Sequence, residues 1–169
     1  MAGWAALAAA CFVAAGCGPA AGPRAASGAR PADVDRVDAL SLWATPAAVT
    51  LGESERPNGV GVRLYMYQAK AGKVLPVAGK GEVRIDMYDG ALRGESLAAA
   101  KPLHAWKFSG ADIRPFLGRD SFGLSCYEMA LRWGQDVPTA PAVTLVARYQ
   151  SAGLPEAVSS PTVVSIRVK

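Results

Sequence analysis

Gly59-Val60-Gly61-Val62-Arg63-Leu64-Tyr65-Met66-Tyr67 is the stretch that decides the fold class. Its even positions hold Val60, Val62, Leu64 and Met66, and its odd positions carry Arg63, Tyr65 and Tyr67. A period of two is the mark of a strand with one face in a core and one in water, because successive side chains point to opposite sides of a pleated backbone. Glu82-Val83-Arg84-Ile85-Asp86-Met87-Tyr88 repeats the pattern. It predicts Val83, Ile85 and Met87 inside, with Glu82, Arg84 and Asp86 on a solvated face of compensated charge. Asp89-Gly90 then signals a turn.

Working outward, further strands are predicted at residues 47–51, 103–108, 142–149 and 162–168, the last with Val164, Ile166 and Val168 aligned. Residues 122–133 also read as strand but change phase. Phe122, Leu124 and Cys126 share one parity while Tyr127, Met129, Leu131 and Trp133 share the other, so a β-bulge near Cys126 is expected. One short helical turn is predicted near 110–117, where Ser109 caps, Asp112 stands at the third position and Pro115 limits the length. Gly94 and Pro102 make residues 91–101 a predicted loop. Six or seven strands separated by Gly and Pro imply an all-β chain, a single antiparallel β-sandwich of transthyretin-like or immunoglobulin-like type. The absence of crossover helices excludes a parallel α/β fold.

The composition divides in two. The chain has 169 residues, 51% of them hydrophobic, but 14 of its 33 alanines fall in residues 1–32, whose charged side chains are Arg24 and Arg30. Residues 4–15 form an uncharged, mostly apolar run of about a dozen, too short to cross a bilayer yet suited to the core of a secretory signal peptide. Residues 18–33 contain Gly, Pro and Ala with no aromatic or β-branched residue, so they are expected to be a disordered tether. The predicted organisation is a signal peptide at 1–16, a cysteine and tether at 17–33, and a sandwich domain at 34–169.

Chemistry is sparse in this sequence. His104 is the single histidine, and neither a zinc spacing nor a Gly-x-Ser-x-Gly elbow accompanies it. Asp33, Asp35 and Asp38 lack the glycine and terminal glutamate of a calcium loop. The net charge of +4 is dispersed, which argues against nucleic acid. No cofactor or metal is expected, and the chain is not expected to be an enzyme. Cys126 is expected to be a small core residue without a disulfide partner. The amphipathic side chains Arg63, Tyr65, Tyr67 and Tyr88 form the candidate partner-binding face, since an aromatic body with a polar tip suits a partly wet protein contact. Packing among neighbouring strands, or burial beneath the long loops, is the alternative use of the same residues.

Val13-Ala14-Ala15-Gly16-Cys17 resembles the lipobox of bacterial lipoproteins, in which the cysteine is acylated and becomes the first residue after cleavage. An ordinary signal peptide and a buried apolar helix are the alternatives. The resemblance implies Cys17 bearing palmitate-type chains, anchorage in the bilayer and, with Gly18 in place of Asp after the cysteine, the periplasmic face of the outer membrane. Two or three acyl chains hold far more firmly than one, at about 0.8 kcal/mol per buried methylene. Residues 58–68 (Asn58 to Gln68) and 144–149 (Thr144 to Tyr149), with the lipobox upstream, are similar to the outer-membrane lipoprotein of type VI secretion systems. That family is a transthyretin-like sandwich that docks a larger secretion component. The expected function is a non-catalytic protein-binding or structural module of the cell envelope, partnered by the bilayer and by another envelope protein. The alternative is a periplasmic carrier of a small ligand.

Overall fold

The computed structural model describes residues 30–166. In chain order the elements are β1 (Ala32–Val34), β2 (Ala39–Ala44), β3 (Gly59–Lys70), β4 (Lys73–Gly79), β5 (Glu82–Asp89), α1 (Gly94–Ala99), β6 (His104–Phe108), α2 (Gly110–Ile113), β7 (Leu117–Arg119), β8 (Ser125–Arg132), β9 (Ala142–Gln150), β10 (Ala157–Val158) and β11 (Thr162–Ser165). They build an all-β sandwich of two sheets.

The long strand β3 organises the first sheet. β2 lies along one of its edges, and the other edge is shared by β8 over Gly59–Leu64 and by β4 over Tyr67–Lys70. β7 extends the sheet beyond β8, and β1 extends it beyond β4 in the one parallel strand pair among the described residues. The second sheet runs β6, β5, β9, with β10 and β11 sharing the far edge of β9.

Alternation places the core as expected. Val60, Val62, Leu64 and Met66 pack with Leu40, Leu42, Met129 and Leu131, and all face Val83, Ile85, Met87, Val143, Leu145 and Ala147 across the sandwich. Each such side chain, fully buried, contributes about 1.5–3 kcal/mol. The free side of β2 is tied to the second sheet. Thr162 Oγ1 donates to the Leu42 carbonyl at 2.8 Å, and the Ala48 N–H donates to the Ser165 carbonyl at 2.7 Å. An edge bonded in this way is a poor template for pairing with another chain.

Several expectations require correction. β2 and β4 are strands that the alternation pattern does not reveal, while residues 47–51 contribute two isolated bridges rather than a strand. The β3–β4 loop explains part of this. Ala71 and Gly72 both have positive φ, 51° and 74°, as a two-residue type I′ hairpin demands, but Ala-Gly lacks the usual Asn-Gly signal. β8 shows no bulge near Cys126: its register is continuous with β3 from Gly59↔Arg132 to Leu64↔Tyr127 and with β7 from Leu117↔Tyr127 through Gly118↔Cys126 to Arg119↔Ser125. Phe122 and Leu124 precede the strand in an exposed turn, so the phase change marks the strand's beginning. Residues 94–99 form a helix in place of the expected loop, with Ser96 Oγ accepting from the Arg93 N–H at 3.2 Å. Pairing starts at Ala32, inside the span assigned to the tether, because Ala32 and Asp33 run beside Val77 and Ala78. The predicted cap is present: Ser109 Oγ accepts from the Asp112 N–H at the start of α2.

Candidate functional site

Strand register sets out the outer face of the first sheet. Trp43, Arg63 and Glu128 lie in one row across β2, β3 and β8. Arg63 donates from Nε and Nη2 to Glu128 Oε1 at 3.2 and 3.0 Å. Trp43 Nε1 donates to Ser41 Oγ at 3.1 Å, yet the residue is 67% exposed. Toward one end of the sheet, Thr45, Gly61 and Ala130 present small side chains or none, which leaves a trough of about 540 Å³ beside Trp43, Arg63 and Glu128. The trough floor depends on glycine, since a Cβ at position 61 would stand 3.0 Å from Thr45 Cγ2.

Toward the other end, the face is covered. Tyr65 is buried, stacks on Tyr67 with ring centroids 6.4 Å apart, and donates its hydroxyl to Asp120 Oδ2 at 2.9 Å. Asp120 Oδ1 in turn accepts from the N–H groups of Phe122 and Leu124, each at 2.9 Å, which folds the 120–124 turn over Tyr65. Burial works against the Asp120 carboxylate, but the bonds from Leu124, Tyr65 and Phe122 outweigh it and hold the group below its ordinary range. Cys126 is free and buried, as expected, but on this outer side rather than between the sheets. Its thiol is pushed up by burial and then by the Asp120 and Glu128 charges, which suppresses the reactive thiolate.

The four side chains Arg63, Tyr65, Tyr67 and Tyr88 therefore do not form one face. Arg63 is exposed, Tyr67 is half-buried and Tyr65 serves as an anchor for a turn. Tyr88 belongs to β5 in the opposite sheet and is buried. Both strands send their polar parity outward, but from opposite sides of the sandwich. Trp43 and Glu128 complete the usable patch, and only the pairing of three separate strands reveals them.

Tyr65 yields a pH prediction. Burial first, then the bond to Asp120, pushes its hydroxyl from the ordinary 10.0 up to about 12. The folded state thus holds that proton more tightly than the unfolded chain does. The resulting stability is fully present below pH 10 and is lost as the pH rises through about 12. Tyr65→Phe should remove a late-ionising component from the tyrosinate absorbance titration and flatten the alkaline loss of stability. An unchanged titration would contradict the Tyr65–Asp120 bond.

His104 does meet a carboxylate, with Nδ1 at 2.6 Å from Asp136 Oδ2, and its ring lies edge-on to Trp106. Among the described residues no hydrogen bond joins a serine to it. Asp33 pairs with Arg114, Asp35 with Lys80 and Asp38 with Arg36. Among the described residues no cluster of His, Cys, Asp or Glu could hold a metal ion, and no helix is long and apolar enough to cross a membrane. Cys17 and most of the residues read as signal peptide and tether lie outside the described residues.

No family model, curated protein or solved structure matches this chain. The exposed row of Trp43, Arg63 and Glu128 is consequently read from its own geometry. It offers an exposed aromatic ring, a guanidinium and a carboxylate over a shallow floor, groups of the kind found in protein contacts.

Proposed function

We propose that this chain is a cell-envelope lipoprotein, exported, anchored through an acylated Cys17 at the periplasmic face of the outer membrane, and acting as a non-catalytic protein-binding module. The observation that carries the binding role is the exposed ring of Trp43 in register with Arg63 and Glu128. Tryptophan and arginine dominate the energetics of protein contacts when a partner excludes water from them. Here the backbone of a packed sheet holds both, so binding need not order the main chain. The anchor reading is supported by the Val13–Cys17 pattern.

The test is made in intact cells of the source organism. A photo-crosslinking residue at position 43 should give one discrete adduct with an envelope protein, and the same residue at position 107 on the opposite sheet should not. Arg63→Ala should weaken that adduct at least tenfold, the equivalent of about 1.4 kcal/mol. Cys17→Ser should abolish labelling by palmitate. Equal crosslinking from positions 43 and 107 would sink the docking face, and persistent palmitate on Cys17→Ser would sink the anchor.

A further inference from the structure

The outer face of the second sheet holds an arrangement that neither the docking patch nor the core uses. Asp86 points outward by alternation, yet its side chain is 0% exposed. Both of its oxygens are taken by arginines. Arg84 donates from Nε to Oδ1 at 2.6 Å and from Nη2 to Oδ2 at 2.9 Å, and Arg148 Nε donates to Oδ2 at 3.0 Å. Arg148 Nη1 donates to Glu156 Oε2 at 3.0 Å. The two guanidiniums are thereby held in place from below, as ligand-binding arginines require. Arg84 Nη1 has no hydrogen-bond partner among the described residues, and the Arg84 side chain is 40% exposed.

Cations are clustered on this face. Register places Lys107 directly beside Arg84 and Arg84 directly beside Arg148, three cations in one row across β6, β5 and β9. Like charges opposite one another on neighbouring strands repel. Asp86 and Glu156 are bonded to Arg84 and Arg148, and Glu82 stands on the same side of β5 two residues from Arg84. Above the row, the segment that includes α1 crosses the sheet and is pinned where the Leu92 N–H donates to Thr144 Oγ1 at 2.8 Å and that hydroxyl donates to the Gly90 carbonyl at 2.7 Å. Between this segment and the sheet lies a cleft of about 510 Å³. Arg84, Arg148 and Tyr88 line it on the sheet side, and Leu97, Val146 and Val158 give it apolar wall.

We infer that this cleft binds an organic carboxylate with an apolar body, its anionic end on the open side of Arg84 and its body along Leu97 and Val158. A planar carboxylate matches the parallel donors of a guanidinium. The apolar wall would add the burial that a bare inorganic anion cannot gain. This site is independent of the Trp43 patch, which lies on the other sheet.

Octanoate is the probe, titrated calorimetrically into the full-length protein, with octanol and inorganic phosphate as companions. Saturable binding of octanoate with no binding of octanol is the expected result. Arg84→Gln should weaken it at least tenfold, while Arg63→Gln should leave it unchanged. Should Arg84→Gln fold poorly with Asp86 half-partnered, Leu97→Glu supplies the second variant. It sets a like charge on the half-buried wall without touching the arginine network, and it should also weaken octanoate at least tenfold. No saturable binding, equal binding of octanol, equally effective displacement by phosphate, or wild-type affinity in Leu97→Glu would each overturn the inference.

Discussion

Trp133→Ala should lower the unfolding free energy by about 3–5 kcal/mol, the loss expected when a large aromatic leaves a core that cannot collapse around the void. Trp133 is 1% exposed and is among the largest fully buried side chains. It directly follows β8, and its N–H donates to the Asn58 carbonyl at 3.3 Å, so the backbone on either side is held and has little freedom to move inward. Against a typical domain stability of about 5–15 kcal/mol, the loss is a large fraction. Chemical denaturation should show the midpoint falling with an unchanged slope. Trp43→Ala is the matching control. The same deletion at a 67% exposed site should change stability by no more than about 0.5 kcal/mol. Similar losses from the two variants would contradict the sandwich placement of Trp133.

Asp86→Ala should cost about 3 kcal/mol, the lower end of the penalty for removing one partner of a buried ion pair. The lower end applies because Arg84 and Arg148 are 40% and 29% exposed and can recover part of their hydration. The cost arises less from lost attraction than from two guanidiniums left facing one another beside Lys107. Two comparisons separate these causes. Glu156→Ala removes a rim carboxylate that is itself 40% exposed, and the expected loss is within about 1 kcal/mol. Asp86→Ala combined with Arg84→Leu should recover part of the loss, since the repulsion in the row is relieved. Thermal unfolding of the three variants checks this. A loss below about 1 kcal/mol for Asp86→Ala would mean that water reaches the carboxylate in the folded state.

The legible elements are those whose signal is local. β3, β5 and β9 carry alternation or long apolar runs within one strand, and the Ser109 and Asp112 cap needs only four consecutive residues. β2 is harder to read, because its buried leucines are only two, Leu40 and Leu42, and they adjoin a stretch rich in Ala and Pro. β4 has no usable alternation: Val74 and Leu75 are both exposed, and its place in the sheet is settled by the hairpin turn. The candidate face is half legible. Arg63 stands out from its own strand, but its partner Glu128 is 65 residues away and Trp43 reaches it from a third strand. Pairing between strands distant in sequence leaves no local trace in composition.

What the sequence determined by itself was sidedness. Val60, Val62, Leu64 and Met66 had to lie on one side of β3, and Arg84, Asp86 and Tyr88 on one side of β5, because the pleat allows nothing else. What the tertiary structure decided was whether an outward side meets water. The 120–124 turn covers Tyr65, and the arginines and the α1 segment enclose the face on which Asp86 and Tyr88 stand, while Trp43 and Arg63 on the same kind of surface stay open. Alternation encodes direction along one strand. Solvation depends on which distant segment is pinned above that strand, and hydrogen bonds such as Tyr65 to Asp120 and Leu92 to Thr144 do the pinning only once the sandwich has formed.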